Sequence, residues 1–279
     1  MLELPQFSIA PGSTVCSALR NTSLPALEAR ILIGFALQLS RIQLITQSER
    51  VLTDNEAQHI ATLIRRRMAG EPIAYIVGER EFYGLPFHTT PAVLIPRPET
   101  ELLVELALDR LPDQGRLLDL GTGSGAIAVA VAHTLPNAKV TAIDASSEAL
   151  AIASRNAQRH GTQVRLLQSD WYAALGDERF DVIAANPPYI VAGDSHLSQG
   201  DLRFEPVDAL TDHADGLSAL RNIVADAPMH LVSGGWLLME HGYDQADAVR
   251  KLLAAAGFSN IESWTDLAGI ERVSGGRLL

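Results

Sequence analysis

This sequence is short of several things, and each shortage removes a class of function. Among 279 residues there is one cysteine, Cys16. An intrachain disulfide and a cysteine-held metal cluster are excluded, no metal is expected, and Cys16 is expected to be a small hydrophobe rather than a nucleophile. So little cysteine suits a reducing compartment, so a cytoplasmic location is expected. No run of 18 uncharged apolar residues occurs, so no membrane span is expected. The opening stretch Met1-Leu-Glu-Leu-Pro-Gln6 has neither a basic start nor an apolar core, so no secretory signal is expected. Positive charge is in deficit: 22 Lys and Arg against 33 Asp and Glu leave a net charge of −11. A chain this acidic is not expected to bind duplex nucleic acid through counterion release. Arg65-Arg66-Arg67 is the obvious candidate for a local basic patch, and arginines at a helix end also complement the helix dipole. Internal repeats and low-complexity tracts are missing as well.

What is present fits a two-domain enzyme. The length accommodates two domains, and 47% apolar residues can fill a sizeable core. Residues 1–75 read as a helical bundle. Its expected pieces are Ser13 to Arg20, Leu24 to Leu39, Arg41 to Thr46 and a helix from Asp54 to Ala69. Thr53 and Glu56 form a capping box for the last of these, and Gly70 and Pro72 stop it. Nothing in the bundle looks catalytic, so recognition or packing is its expected role. Residues 76–98 read as a β-hairpin linker, with β-favouring residues from Tyr75 to His88 broken by glycines and Pro96 and Pro98 holding the segment extended. Thr100 to Leu111 is the next expected helix.

Residues 99–279 form the main domain. From Leu117 onward strands alternate with helices, the pattern of an α/β doubly wound sheet. Strands are expected near 116–120, 139–143, 163–168, 181–185, 235–240, 260–265 and 270–278, with helices near 124–134, 147–160, 217–231 and 244–256. The last two strands come without a helix between them, so the final strand is expected to be antiparallel.

Two stretches carry chemistry. Leu117 to Leu120 is a buried strand, and Gly121-Thr122-Gly123-Ser124-Gly125 turns it into a helix beginning at Ala126. Glycines admit close backbone approach to a ligand, and a helix start offers free N–H groups and a positive dipole end. A second strand ends at Asp144, about twenty residues past the turn, where a ribose-binding carboxylate is expected. This much leaves a dinucleotide and S-adenosylmethionine (SAM) both open, because Gly121 to Ala126 also satisfies G-x-G-x-x-A. The second stretch is Asn186-Pro187-Pro188-Tyr189, directly after the strand Phe180 to Ala185. The Asn186 side-chain carbonyl and the Pro187 carbonyl are two acceptors for one planar –NH₂ group. Tyr189 offers a flat face for packing against it. Holding both N–H bonds orients a weakly nucleophilic nitrogen toward an activated methyl, so catalysis is positioning plus charge stabilisation. No strong general base is required.

These motifs resemble the peptide chain release factor glutamine methyltransferases, the HemK/PrmC family. The resemblance rests on Gly121 to Gly125, Ser169-Asp170-Trp171 and Asn186 to Ile190. It extends to Gly70 to Tyr75, Arg80 to Tyr83 and Leu94 to Glu101. It implies a Rossmann-like SAM-dependent methyltransferase with a seven-stranded, mostly parallel sheet, and N5-methylation of the glutamine in the Gly-Gly-Gln motif of class I release factors. It further implies that Gly121, Thr122, Gly123, Ser124 and Gly125 cradle the methionine part of SAM, that Asp144 binds the ribose and that Trp171 packs near the adenine. Asn186 then meets both cofactor and substrate, with Pro187, Pro188 and Tyr189 completing the acceptor pocket. Glu240-His241-Gly242 also resembles the family but is read as structural, and Arg97 and Glu99 either position the substrate or form an exposed ion pair. The rivals are an adenine-N6 methyltransferase on nucleic acid, an NAD-dependent oxidoreductase and a non-enzymatic binding protein that has kept the fold.

Overall fold

The protein is described by a computed structural model over residues 6–279. The expectation about a leader rests almost wholly on residues outside that range. The chain divides into two compact units, one ending at Gly78 and one running from Glu79 to Leu279.

The first unit is helical: α1 (Val15–Asn21), α2 (Ala26–Leu37), α3 (Arg41–Thr46), α4 (Asp54–Met68) and α5 (Ile73–Val77). Side-chain caps start three of them. Thr14, Ser40 and Thr53 each accept from the third backbone N–H of the following helix, and the third residue's side chain returns the bond to the cap N–H. Leu32, Ile33, Ile60 and Ile64 meet in its core. The arginine cluster is tied down here: Arg66 Nε donates to Glu71 at 2.7 Å and Arg67 Nε to Glu28 at 2.8 Å. Residues 75–77, read from the sequence as β-favouring, are helical instead. Ala74, Tyr75 and Ile76 are buried, and Gly78 in the left-handed region ends the turn. Burial on one helical face outweighs the local β preference of three residues.

The second unit opens with a hairpin, β1 (Glu79–Phe82) and β2 (Leu85–His88), then α6 (Thr100–Arg110). Phe82 and Phe87 reach into the same apolar cluster as Leu103 and Val104 of α6, so the hairpin is part of this unit's core. The sheet follows as β3 (Arg116–Leu120), β4 (Lys139–Asp144), β5 (Val164–Gln168), β6 (Phe180–Ala185), β7 (Leu231–Glu240), β8 (Ser259–Thr265) and β9 (Glu271–Arg277). Its order is β5-β4-β3-β6-β7-β9-β8, with β9 antiparallel to both neighbours. The expected fold and antiparallel last strand are therefore borne out. The intervening helices are α7 (Ala126–Thr134), α8 (Ser147–Arg159), α9 (Ser218–His230) and α10 (Ala246–Ala255). Alternation along the strands feeds two cores. Leu117, Val182 and Ala184 face α6 and α7, while Leu118, Leu120, Ile183 and Ala185 face α9 and α10.

Candidate active site

Sheet register brings the motifs together. Leu120 pairs with Ile143 on one side and with Ala185 on the other, and Ala185 pairs with Met239. Parallel pairing at that register sets the ends of four strands side by side. In spatial order these are Asp144, Gly121, Asn186 and Glu240. Chain order reverses between β3 and β6, and at such a reversal a crevice opens outside the carboxyl ends of the strands.

At the glycine end the backbone does the shaping. Gly121 and Thr122 donate to the Ile143 carbonyl at 3.0 and 2.9 Å. The Asp144 carboxylate accepts from Gly123 N–H and from Ser146 N–H, both at 2.9 Å. Gly123 has φ +54°, and a Cβ built there would meet nothing within 4 Å. Gly125 has φ +81°, and a Cβ there would lie 3.1 Å from the Ala153 Cβ of α8. One glycine faces open space and the other permits helix packing. Beneath the turn, fully buried Asp119 accepts from Thr122 Oγ1 at 2.6 Å and from Ala128 N–H at 3.2 Å. Both bonds fall on one oxygen, and Oδ1 has no partner among the described residues. Burial pushes the Asp119 carboxyl up to about 7 and pushes Asp144 upward as well.

At the Asn186 end, side chains do the shaping. Asn186 Nδ2 donates to Thr100 Oγ1 at 3.1 Å, and Thr100 Oγ1 donates to Glu240 at 2.7 Å. The Tyr189 hydroxyl donates to the other Glu240 oxygen at 3.2 Å. Glu240 is fully buried, and desolvation lifts its carboxyl to about 7. Burial first, and Glu240 second, hold the Tyr189 phenol protonated well above its ordinary range. Arg97 pairs not with Glu99 but with Glu205, which also accepts from Ile95 N–H at 3.0 Å and is buried.

A cavity of about 560 Å³ lies between the two ends. Of the residues singled out in the sequence, Gly121, Thr122, Gly123, Ser124, Asp144, Trp171, Asn186 and Pro188 line it. Gly125, Pro187 and Tyr189 are not among the lining residues. Gly125 packs against α8, and the Tyr189 ring lies against the apolar cluster under β6 and β7. Trp171 has φ +43°, unusual for a bulky side chain, and Ser169 Oγ donates to its carbonyl at 2.8 Å. Strain of this kind persists where the surroundings fix a side chain at a site. Sequence reading passed over three participants. Thr100 was read only as a helix start, Glu240 only as structure, and Glu205 sits in a connection with no regular pattern to flag it.

A family profile described as "Methyltransferase small domain" matches residues 98–201, and one described as "PrmC N-terminal domain" matches residues 14–78. The chain is 55% identical to a release factor glutamine methyltransferase of Burkholderia pseudomallei, over 95% of this chain and 96% of that protein. It is 44% identical to the one from Escherichia coli, over 94% and 95%. The chain belongs to the release factor glutamine methyltransferase family. Solved structures agree on the fold. A human Mettl16 catalytic domain in complex with a MAT2A 3′UTR hairpin superposes with TM-score 0.60 at 15% identity, over 92% of each chain. A methyltransferase from Pyrococcus furiosus gives 0.54 at 20% identity, over 76% of this chain and 95% of that one.

The cofactor of this methyltransferase family is SAM, and the cavity fits it. The volume lies in the range of small-molecule sites. Gly123 leaves room beside the turn where a side chain would stand. Asp144 keeps acceptor capacity for a ribose diol beyond its two backbone bonds. Ile143 and Trp171 supply apolar wall for a flat base.

Proposed function

We propose that this chain transfers a methyl group from SAM to the side-chain nitrogen, N5, of the glutamine in the Gly-Gly-Gln motif of class I peptide chain release factors. Asn186 is the observation that carries this reading. Its Nδ2 is committed to Thr100, so Oδ1 is the atom left for an incoming N–H, and Asn186 lines the cavity. SAM supplies a methyl activated by its sulfonium. The protein's own part is to hold the acceptor. Asn186 Oδ1 takes one amide N–H, and the Pro187 carbonyl takes the other where the acceptor reaches past the cavity lining, to which Pro187 does not belong. Pro188 closes the wall beside it. Carbonyl dipoles aimed at both hydrogens stabilise positive charge as it develops on nitrogen; as the N–CH₃ bond forms the S–CH₃ bond breaks, leaving a neutral thioether, and the nitrogen then gives up one of its two protons to water.

The same reading assigns Gly121 to Ser124 to the methionine part of SAM, Asp144 to the ribose and Trp171 to the adenine. Tyr189, tied to Glu240, acts from behind Asn186 rather than as a stacking face. The helical unit that ends at Gly78 recognises the protein substrate, and the unit from Glu79, whose core takes in the hairpin expected as a linker, catalyses. Exposed Leu27, Ile31 and Phe35, spaced four apart on α2, support a protein-binding role for that region. A net charge of −11 supports a protein rather than a nucleic-acid acceptor. No helix of the described residues is long and apolar enough to cross a membrane, and a cytoplasmic setting matches a translation factor as substrate.

The test is methyl transfer from labelled SAM to purified release factor, with the wild-type factor compared to one carrying Gln→Ala in its Gly-Gly-Gln loop. Label is expected only with the intact glutamine. Equal labelling of both factors overturns the assignment of the acceptor.

A further inference from the structure

We propose that Thr100 and Glu240 are positioning residues that fix which way the Asn186 amide faces, so that its carbonyl oxygen rather than its NH₂ meets the substrate. The proposal rests on the reading of Asn186 as the acceptor-binding residue.

The inference follows from counting donors and acceptors. An ionised carboxylate only accepts. With Glu240 ionised, Thr100 must spend its one hydrogen on Glu240, at 2.7 Å. The Tyr189 hydroxyl spends its own on the second oxygen, at 3.2 Å. Thr100 Oγ1 is then left with lone pairs alone toward Asn186, at 3.1 Å. A lone pair calls for the amide NH₂, so Oδ1 is directed away from Thr100. Reverse the chain and the outcome reverses. If Glu240 carries a proton and donates it to Thr100, the Thr100 hydrogen turns to Asn186. The amide must then rotate and offer NH₂ to the substrate, donor against donor.

The partners come from far apart in the chain. Thr100 opens α6, Glu240 ends β7, and they lie 140 positions apart. Both are buried, so water does not readily replace the link. The charged and titratable surroundings of Glu240 are few. Glu99 at the start of α6 opposes its ionisation and Arg272 on β9 favours it, while Tyr189 donates to it. His241, just past the end of β7, is turned to Ser274 of β9 at 2.7 Å. A carboxyl placed near 7 in this setting puts the reversal within the working pH range.

The experiment compares Thr100→Ser, Thr100→Val, Glu240→Gln and Asn186→Ala, each by kcat and KM for release factor and by SAM affinity from calorimetry. Serine keeps the hydroxyl and is expected to hold kcat within about three-fold of wild type, whereas isosteric valine is expected to lower it about ten-fold or more with SAM affinity unchanged. Wild-type kcat is expected to rise with pH between about 6 and 8 as Glu240 ionises. Glu240→Gln offers Thr100 an acceptor oxygen at every pH, so its profile is expected to be flat in that window. Thr100→Val at wild-type rate, with Asn186→Ala inactive, overturns the relay alone. Asn186→Ala at wild-type rate overturns the reading beneath it. If Thr100→Val loses SAM binding as well, the Glu240→Gln profile decides, and a rise like that of wild type overturns the proposal.

Discussion

The two ends of the crevice are built in different ways. The glycine end uses backbone N–H groups, a helix start and two carboxylates, Asp119 and Asp144, all from residues 119 to 146. The Asn186 end uses side chains from Thr100, Asn186, Tyr189, Glu205 and Glu240, which come together from the start of α6, the ends of β6 and β7 and the connection between those strands. A cofactor of fixed shape is matched by a local fold element that any βαβ unit can carry. An acceptor amide needs a stated donor and acceptor direction, and backbone alone does not set that for a side chain. The two ends are therefore expected to fail separately.

The largest expected effect is on turnover. Asn186→Ala removes the acceptor oxygen for the substrate amide, and kcat is expected to fall about 10²- to 10³-fold, the scale for losing one preorganised group at a reacting centre. SAM affinity, read by calorimetry on the same variant, is expected to change little. A parallel loss of SAM binding breaks the division between the two ends. Asp144→Asn tests the division from the other side. It keeps the shape but removes the charge that a ribose diol bonds to. SAM affinity is expected to weaken by roughly ten-fold, since hydrogen bonds to charged groups contribute about 1.5–3 kcal/mol and part of that is retained. With SAM saturating, most of the kcat is expected to return.

The contrast also explains what was legible in the sequence. The strand, glycine turn and helix at 117–134, and Asp144 after the next strand, are local patterns, and their elements lie within two residues of expectation. The doubly wound sheet followed from the helix–strand alternation, whereas the order of its strands is seen only in the structure. Asn186 was visible because two prolines mark it. Thr100 was not, because its partner is a strand end 140 positions away and no local pattern encodes that distance. Glu240 looked structural because the chemistry calls for no base, and a residue that acts through another has no motif of its own. Glu205 carried no signal. It stands among short turns between Ser195 and Ala209, and its role arises only where it meets Ile95 and Arg97. Residues 75–77 erred in the opposite sense, with β-favouring side chains drawn into a helix by burial.

Glu205 gives a smaller effect, on the wall rather than the chemistry. Glu205→Ala leaves the Ile95 N–H without its acceptor in a buried position and releases Arg97. The expected cost is about 1–3 kcal/mol of unfolding free energy, read by denaturant titration. Glu205→Gln keeps an acceptor for Ile95 and is expected to recover part of it. Equal stability of all three proteins removes Glu205 from the acceptor end.

The smallest effect compares the ends by their buried carboxyls. Asp119 lies under the glycine turn and Glu240 behind Asn186, and both are raised to about 7 by burial. In the unfolded chain they titrate near 3.9 and 4.3. Between about pH 5 and 7 the native state therefore holds protons that the unfolded state has released, and stability falls as pH rises through that window. Groups held by partners behave oppositely. Asp212, which accepts from Ser218 and from the Ala214 and Gly216 N–H groups, is lowered, and its contribution is lost only as pH falls below the ordinary carboxylate range. Asp144, raised as well, adds to the fall in that window and His241, lowered by burial, opposes it, so the shares of Asp119 and Glu240 are read from their own variants against wild type. Asp119→Asn and Glu240→Gln, each melted at several pH values, are expected to flatten the decline, each by its own share. Glu240 has both oxygens hydrogen-bonded and Asp119 has one oxygen unpartnered, so Asp119→Asn is expected to flatten it more. The reverse ranking would place the less compensated charge at the Asn186 end, where the orientation of one amide depends on it.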